Sequence, residues 1–167
     1  MNYHWTCRCC GKTFDTLPFS FACSAPDNLL GVPEAEREAR SKLDSDVCVI
    51  DGKDIFVRGC LEIPVIGSED SFVWGLWVSV SQKSMSRIVE LWNVPAVVDE
   101  PPIFGWLCNN IPIYPNTMSL KTNLHLRAGV LRPLIELEPT DHPLAIEQRS
   151  GISIERVAEI AAALMRH

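Results

Sequence analysis

The chain has 167 residues, 47% of them apolar and 22% charged, with a formal net charge of −6. That length supports one domain with a real core, and the apolar share excludes a disordered chain. The acidic balance argues against broad binding to nucleic-acid phosphates or anionic lipid, which need clustered Lys and Arg. No run approaches the roughly eighteen apolar residues of a membrane span.

The first ten residues show no basic segment followed by an apolar run, so no secretory signal is expected. Seven cysteines in such a chain point to the reducing cytoplasm, as thiols or metal ligands rather than disulfides. Cys7 and Cys10, followed by Gly11, have the spacing of a metal knuckle, in which two thiolates face one ion from a tight turn. No second Cys-x-x-Cys completes it. His4, Cys9, Cys23, Cys48 and Cys60 are the candidates for further ligands of a structural zinc. The opposing reading is free thiols, since Cys is commonly buried as a small hydrophobe.

Residues 1–25 read as a knuckle-like segment with at most short strands, and residues 26–167 as the body of a single domain. Pro33 before an acidic then basic stretch predicts a surface helix over 34–43. Two apolar runs, 47–50 and 55–60, flank Asp51-Gly52, a hairpin signal. Extended chain continues to Ile66, interrupted at Pro64. Residues 72–80 predict a strong strand with Phe72, Trp74, Leu76, Val78 and Val80 on one face and Trp77 and Ser79 on the other. Ser84 is placed to cap a helix ending near Trp92.

Five prolines between 94 and 117 resist regular structure, although residues 103–107 suit a short strand. Leu120, Thr122, Leu124 and Leu126 alternate with Lys121, Asn123, His125 and Arg127, a half-buried strand. Residues 131–138 form its antiparallel partner around Gly129. Thr140 or Asp141 is placed to cap a helix that begins with Pro143 and ends near Gly151. Ser153 caps a last helix, whose buried stripe is Ile154, Val157, Ala158, Ala161, Leu164 and Met165. Strands in the middle and helices at the ends, without regular alternation, define an α+β chain: a mainly antiparallel sheet flanked by helices, with the N-terminal knuckle.

No catalytic constellation accompanies this pattern. Asp141-His142, with Glu147 nearby, could serve general acid–base chemistry in a hydrolase-like enzyme, but no positioned nucleophile goes with it. The row Lys121, Asn123, His125 and Arg127 reads as a solvated sheet face. Large aromatics in and around the proline-rich stretch suit an interface. The expected function is therefore a non-catalytic, protein-binding module using Trp77, Phe104, Trp106 and Tyr114.

Several segments together resemble the bacterial family called domain of unknown function 2199. They include Cys7-x-x-Cys10-Gly11, Phe56-Val57-Arg58-Gly59-Cys60, Trp74-Gly75-x-Trp77-Val78, Phe104-Gly105-Trp106-Leu107 and Glu138-Pro139-Thr140-Asp141-His142-Pro143-Leu144. The resemblance spans nearly the whole chain and implies a single compact bacterial domain of uncharacterised activity. The family pattern places a His four residues after the second knuckle cysteine. Phe14 stands there in this chain, so the resemblance does not supply that ligand.

Overall fold

Two long strands organise the molecule, and their residues say why. Along β6 (Asp54–Ile63) and β7 (Phe72–Val80) apolar side chains recur at every second position, which in a strand puts them on one face. The two pair antiparallel over nine residues, from Ile55 opposite Val80 to Ile63 opposite Phe72. Val57, Leu61 and Ile63 therefore share a face with Phe72, Trp74, Leu76 and Val78, and all are buried in one cluster. The computed structural model describes residues 5–6, 13–92, 94, 100–129 and 131–165.

Three shorter strands follow: β8 (Ile103–Leu107), β9 (Lys121–His125) and β10 (Leu134–Leu137). Each pairs antiparallel with the one before it, β8 starting from the end of β7. The fifth strand returns to the first, with Leu134 opposite Cys60. The sheet is thus a closed five-stranded meander barrel with further strands added. Four antiparallel steps bring the fifth strand round in the direction of the first, so the closing pair is parallel. Closure leaves no long open edge in the barrel itself.

This corrects the expected sheet flanked by helices. The chain is mixed α+β and mostly antiparallel, but the sheet closes on itself instead of lying open between helices. Strand alternation determines which residues face inward; it cannot reveal that the first and fifth strands meet.

β6 and β7 are longer than the barrel needs, and their free halves carry the extra strands. β5 (Val47–Ile50) pairs with the start of β6, and β4 (Ser41–Leu43) with β5. Asp51 and Gly52 both take positive φ in the turn between β5 and β6, the conformation for which Asp-Gly is suited. β3 (Ser20–Ala22) runs parallel to the start of β7. A separate short hairpin pairs β1 (Trp5–Thr6) with β2 (Thr13–Phe14). Cys7, Cys9, Cys10 and His4 lie outside the described residues, and with them the knuckle.

Among the described residues the helices are α1 (Asp27–Leu30), α2 (Glu34–Arg40), α3 (Gln82–Leu91), α4 (Pro143–Ser150) and α5 (Ile154–Leu164). The surface helix expected over 34–43 ends at Arg40, because Ser41 turns extended and starts β4. Ser81, not Ser84, caps α3, with its hydroxyl accepting from the Ser84 amide. Leu144 and Ala145 of α4 and Val157, Ile160 and Ala161 of α5 join the barrel core. A second, smaller core lies on the outer wall, where Phe56 and Trp77 point away from the barrel into Leu29, Val32, Cys48, Ile50 and Cys108.

Candidate binding groove on the barrel wall

β8 alternates inward Ile103, Gly105 and Leu107 with outward Phe104 and Trp106. Phe104 is 44% exposed and Trp106 43%. Their rings stand edge to face with centroids 5.1 Å apart, the arrangement favoured by aromatic quadrupoles. Gly105 fixes this platform close to β7: a Cβ there would lie 2.3 Å from Val78 Cγ1 and 2.5 Å from the Ser79 carbonyl oxygen. Thr122, buried opposite, donates its hydroxyl to the Gly105 carbonyl at 3.0 Å.

Beside the two rings runs an open groove of about 770 Å³. Ser79, Ser81 and Ser84 line it from β7 and α3, Met118 and Ser119 from the loop before β9, and Lys53 and Asp54 from the hairpin. That loop, residues 108–120, contains much of the proline-rich stretch, yet buried polar groups hold it firmly. Asn109 accepts from the Trp77 amide at 2.8 Å and donates to the Ala25 carbonyl at 2.9 Å. Thr117 accepts from the Ile111 amide at 2.9 Å and donates to the Asn109 carbonyl at 2.6 Å. Sequence reading missed both residues, because polar side chains in a proline-rich segment carry no sign of burial.

The other two aromatics expected at an interface are interior. Trp77 is fully buried in the outer-wall core, and its indole N–H donates to the Cys23 carbonyl at 2.9 Å. Tyr114 is 6% exposed. Its hydroxyl donates to Glu147 Oε2, whose other oxygen accepts from Arg156 Nε at 2.8 Å. Burial, then the Glu147 carboxylate, pushes the Tyr114 phenol well above the usual tyrosine range. Both aromatics are apolar bodies with one satisfied polar tip, which strand and loop position alone could not distinguish from exposed anchors.

His142, not Thr140 or Asp141, is the N-cap of α4. Its Nδ1 accepts from the Leu144 amide at 3.1 Å. The proton must then sit on Nε2, which faces the Pro115 and Asn116 carbonyls at 3.1 and 3.2 Å. Both ring nitrogens are engaged, so no lone pair is free for proton abstraction in this arrangement. Glu147 is committed to Tyr114 and Arg156. Asp141 is exposed. The three residues of the hydrolase-like alternative therefore have different tasks.

Two residues of the row beginning on β9 have partners, His125 across the strand pair and Arg127 within the connection that follows it. His125 lies 3.3 Å from Glu136, and Arg127 donates to the Arg132 carbonyl at 2.7 Å. Among the cysteines, Cys48 and Cys108 sit inside the outer-wall core with Cys23 packed against it. Burial raises all three thiols, and Asp27 adds to the effect at Cys23. That shift disfavours the thiolate needed for metal ligation. Cys60 is half-buried on the outward side of β6. Among the described residues no three His, Cys, Asp or Glu side chains gather as a metal site.

Barrel, helices and groove define a small α+β domain with an aromatic patch on its wall. Among the described residues no helix is long and apolar enough to cross a membrane. The family model described as an uncharacterized protein conserved in bacteria, domain of unknown function 2199, matches residues 6–152. The chain belongs to that family. No curated protein and no solved structure matches it.

Proposed function

We propose that this chain is a non-catalytic, protein-binding module of the bacterial cytoplasm that engages its partner through the groove beside Phe104 and Trp106. The supporting observation is the exposure of two large aromatic rings on a strand paired with β9 at both of them and with β7 at Trp106. Burying such rings removes apolar area from water at little side-chain entropy cost, which is why Trp and its like anchor interfaces. The proposal includes a structural zinc on Cys7 and Cys10, with none of its ligands drawn from Cys48 or Cys108.

A photoreactive benzoylphenylalanine at exposed Lys53, on the rim of the groove, tests the reading in bacterial cells. A discrete cross-linked adduct is expected, and Trp106→Ala should abolish it while changing stability by less than about 1 kcal/mol, as for surface sites. Loss of several kcal/mol in Trp106→Ala, with no adduct in the parent, would mean that the ring serves packing alone.

A further inference from the structure

We infer that the outer wall of the barrel binds a small oxyanion, of the phosphate or carboxylate type, on the guanidinium of Arg58. This site stands apart from the groove and needs no partner protein.

Arg58 lies on the outward face of β6, between Phe56 and Cys60, with Trp77 opposite it in register. The residue is half-buried, and its Nε is wholly buried without a hydrogen-bond partner. Among the described residues its guanidinium forms no hydrogen bond and no ion pair. A shortage of carboxylates is not the reason, since acidic residues outnumber Lys and Arg by 21 to 15.

The acids nearest to Arg58 are committed elsewhere. The Asp46 carbonyl accepts from the Arg58 amide at 2.9 Å, yet its carboxylate accepts from Arg132 Nε at 2.8 Å and from the Ser45 hydroxyl at 3.1 Å. Asp27 and Arg58 both act on the Cys23 thiol. The Asp27 carboxylate accepts from the Asn109 side-chain amide at 3.1 Å and from the Asn110 backbone N–H at 2.8 Å. Burial, then Asp27, raises the Cys23 thiol, so no thiolate stands there as a counter-ion.

A half-buried cation without a counter-ion costs free energy, and an anion that satisfies it recovers that cost. The planar guanidinium offers two parallel N–H donors to a pair of oxygens, the geometry of carboxylate and phosphate recognition. Gly75 keeps the room for this fork: a Cβ there would lie 3.3 Å from Arg58 Nη2 and 2.8 Å from Ala22 Cβ. Nε and Nη2 form one edge of the guanidinium, so an oxyanion bonded side-on satisfies both. Because Nε is covered, the ligand is a small ion that enters the wall and not a protein surface laid flat upon it.

The test uses the full chain, ¹⁵N-labelled, in Tris–chloride buffer at fixed ionic strength, titrated with inorganic phosphate and separately with acetate. The Arg58 Nε–H resonance, assigned through Arg58→Lys, should shift saturably with at least one of the two, and the tighter saturation identifies the class of oxyanion. That ion should raise the melting temperature of the parent and not that of Arg58→Met. In chloride alone Arg58→Met should melt no lower than the parent, because it removes an unpaired charge and keeps most of the volume. An Nε–H resonance unmoved by either ion would overturn the inference. So would an Arg58→Met protein that melts below the parent in chloride, which would make the guanidinium a structural group, or one that responds to the ion as the parent does.

Discussion

The hydroxyl of Tyr114 donates to Glu147 Oε2 at 2.5 Å, tying the proline-rich loop to α4, whose Leu144 and Ala145 join the barrel core. Arg156 of α5 completes the junction, with its guanidinium 5.5 Å over the Tyr114 ring and its Nε bonded to the same carboxylate. Loop, α4 and α5 are thus joined by three side chains.

Removing that hydroxyl should cost stability in a way that depends on pH. Tyr114→Phe loses a hydrogen bond to a charged group, about 1.5–3 kcal/mol. The folded state raises the phenol above its ordinary value of about 10. A group raised on folding contributes fully below its unfolded pKa and loses that contribution as pH rises through the folded value. The parent should therefore lose stability above about pH 10, and Tyr114→Phe should show a shallower fall there. Urea midpoints at pH 7, 9 and 10.5 measure both effects, and parallel curves for the two proteins would refute the assignment.

Gln148 stands where a further strand would pair with β10. Its side-chain amide accepts from the Leu137 amide at 2.8 Å and donates to the Ile135 carbonyl at 2.7 Å. The contact between β10 and β6 amounts to one register position, so the rest of this edge depends on that amide. Gln148→Ala leaves two backbone groups without these partners, at about 1–3 kcal/mol each if they stay buried. Gln148→Glu keeps the acceptor and loses the donor, placing a carboxylate against a carbonyl. Hydrogen exchange should quicken at the Leu137 amide in Gln148→Ala more than at amides elsewhere in the barrel. Uniform acceleration would show a loss of global stability without local opening of the seam.

Much of this architecture was legible from residue pattern, and the failures have physical causes. Alternation found β7 and β9, Asp-Gly found the turn before β6, and Ser153 found the start of α5. Barrel closure was not legible, because it depends on contact between strands more than seventy residues apart, at Cys60 and Leu134. Nor was the second core: Trp77 lies on the outward face of its strand and is buried only because the segment around Leu29 and Val32 covers it. The four aromatics expected at an interface were not told apart by pattern; in the structure Phe104 and Trp106 are exposed and Trp77 and Tyr114 buried. Tyr114 and Gln148 gained their roles from helices that local pattern could not place.

His142 should behave as a capping residue. His142→Ala should cost about 0.5–2 kcal/mol, the usual loss for an N-cap. His142→Asn restores an acceptor for the Leu144 amide and should recover most of that, while giving up the contacts to Pro115 and Asn116. Thermal melts of the three proteins give the comparison. Full stability in His142→Ala accompanied by loss of a biological activity would instead point to chemistry at the ring.

Metal content should depend on Cys7 and Cys10 and be indifferent to the outer-wall core. Protein purified without chelator or affinity nickel should carry about one zinc per chain, as a closed structural site requires, and Cys7→Ser should remove it. Cys48→Ala should keep the metal and lose stability instead, because it empties space beside Trp77 and Phe56 in a tightly packed cluster. Raised by burial, the Cys48 and Cys108 thiols should react with a thiol reagent at neutral pH only after unfolding. Zinc lost from Cys48→Ala at unchanged fold would mean that the metal draws on the wall after all, and absence of zinc from the parent would reduce the knuckle to free thiols.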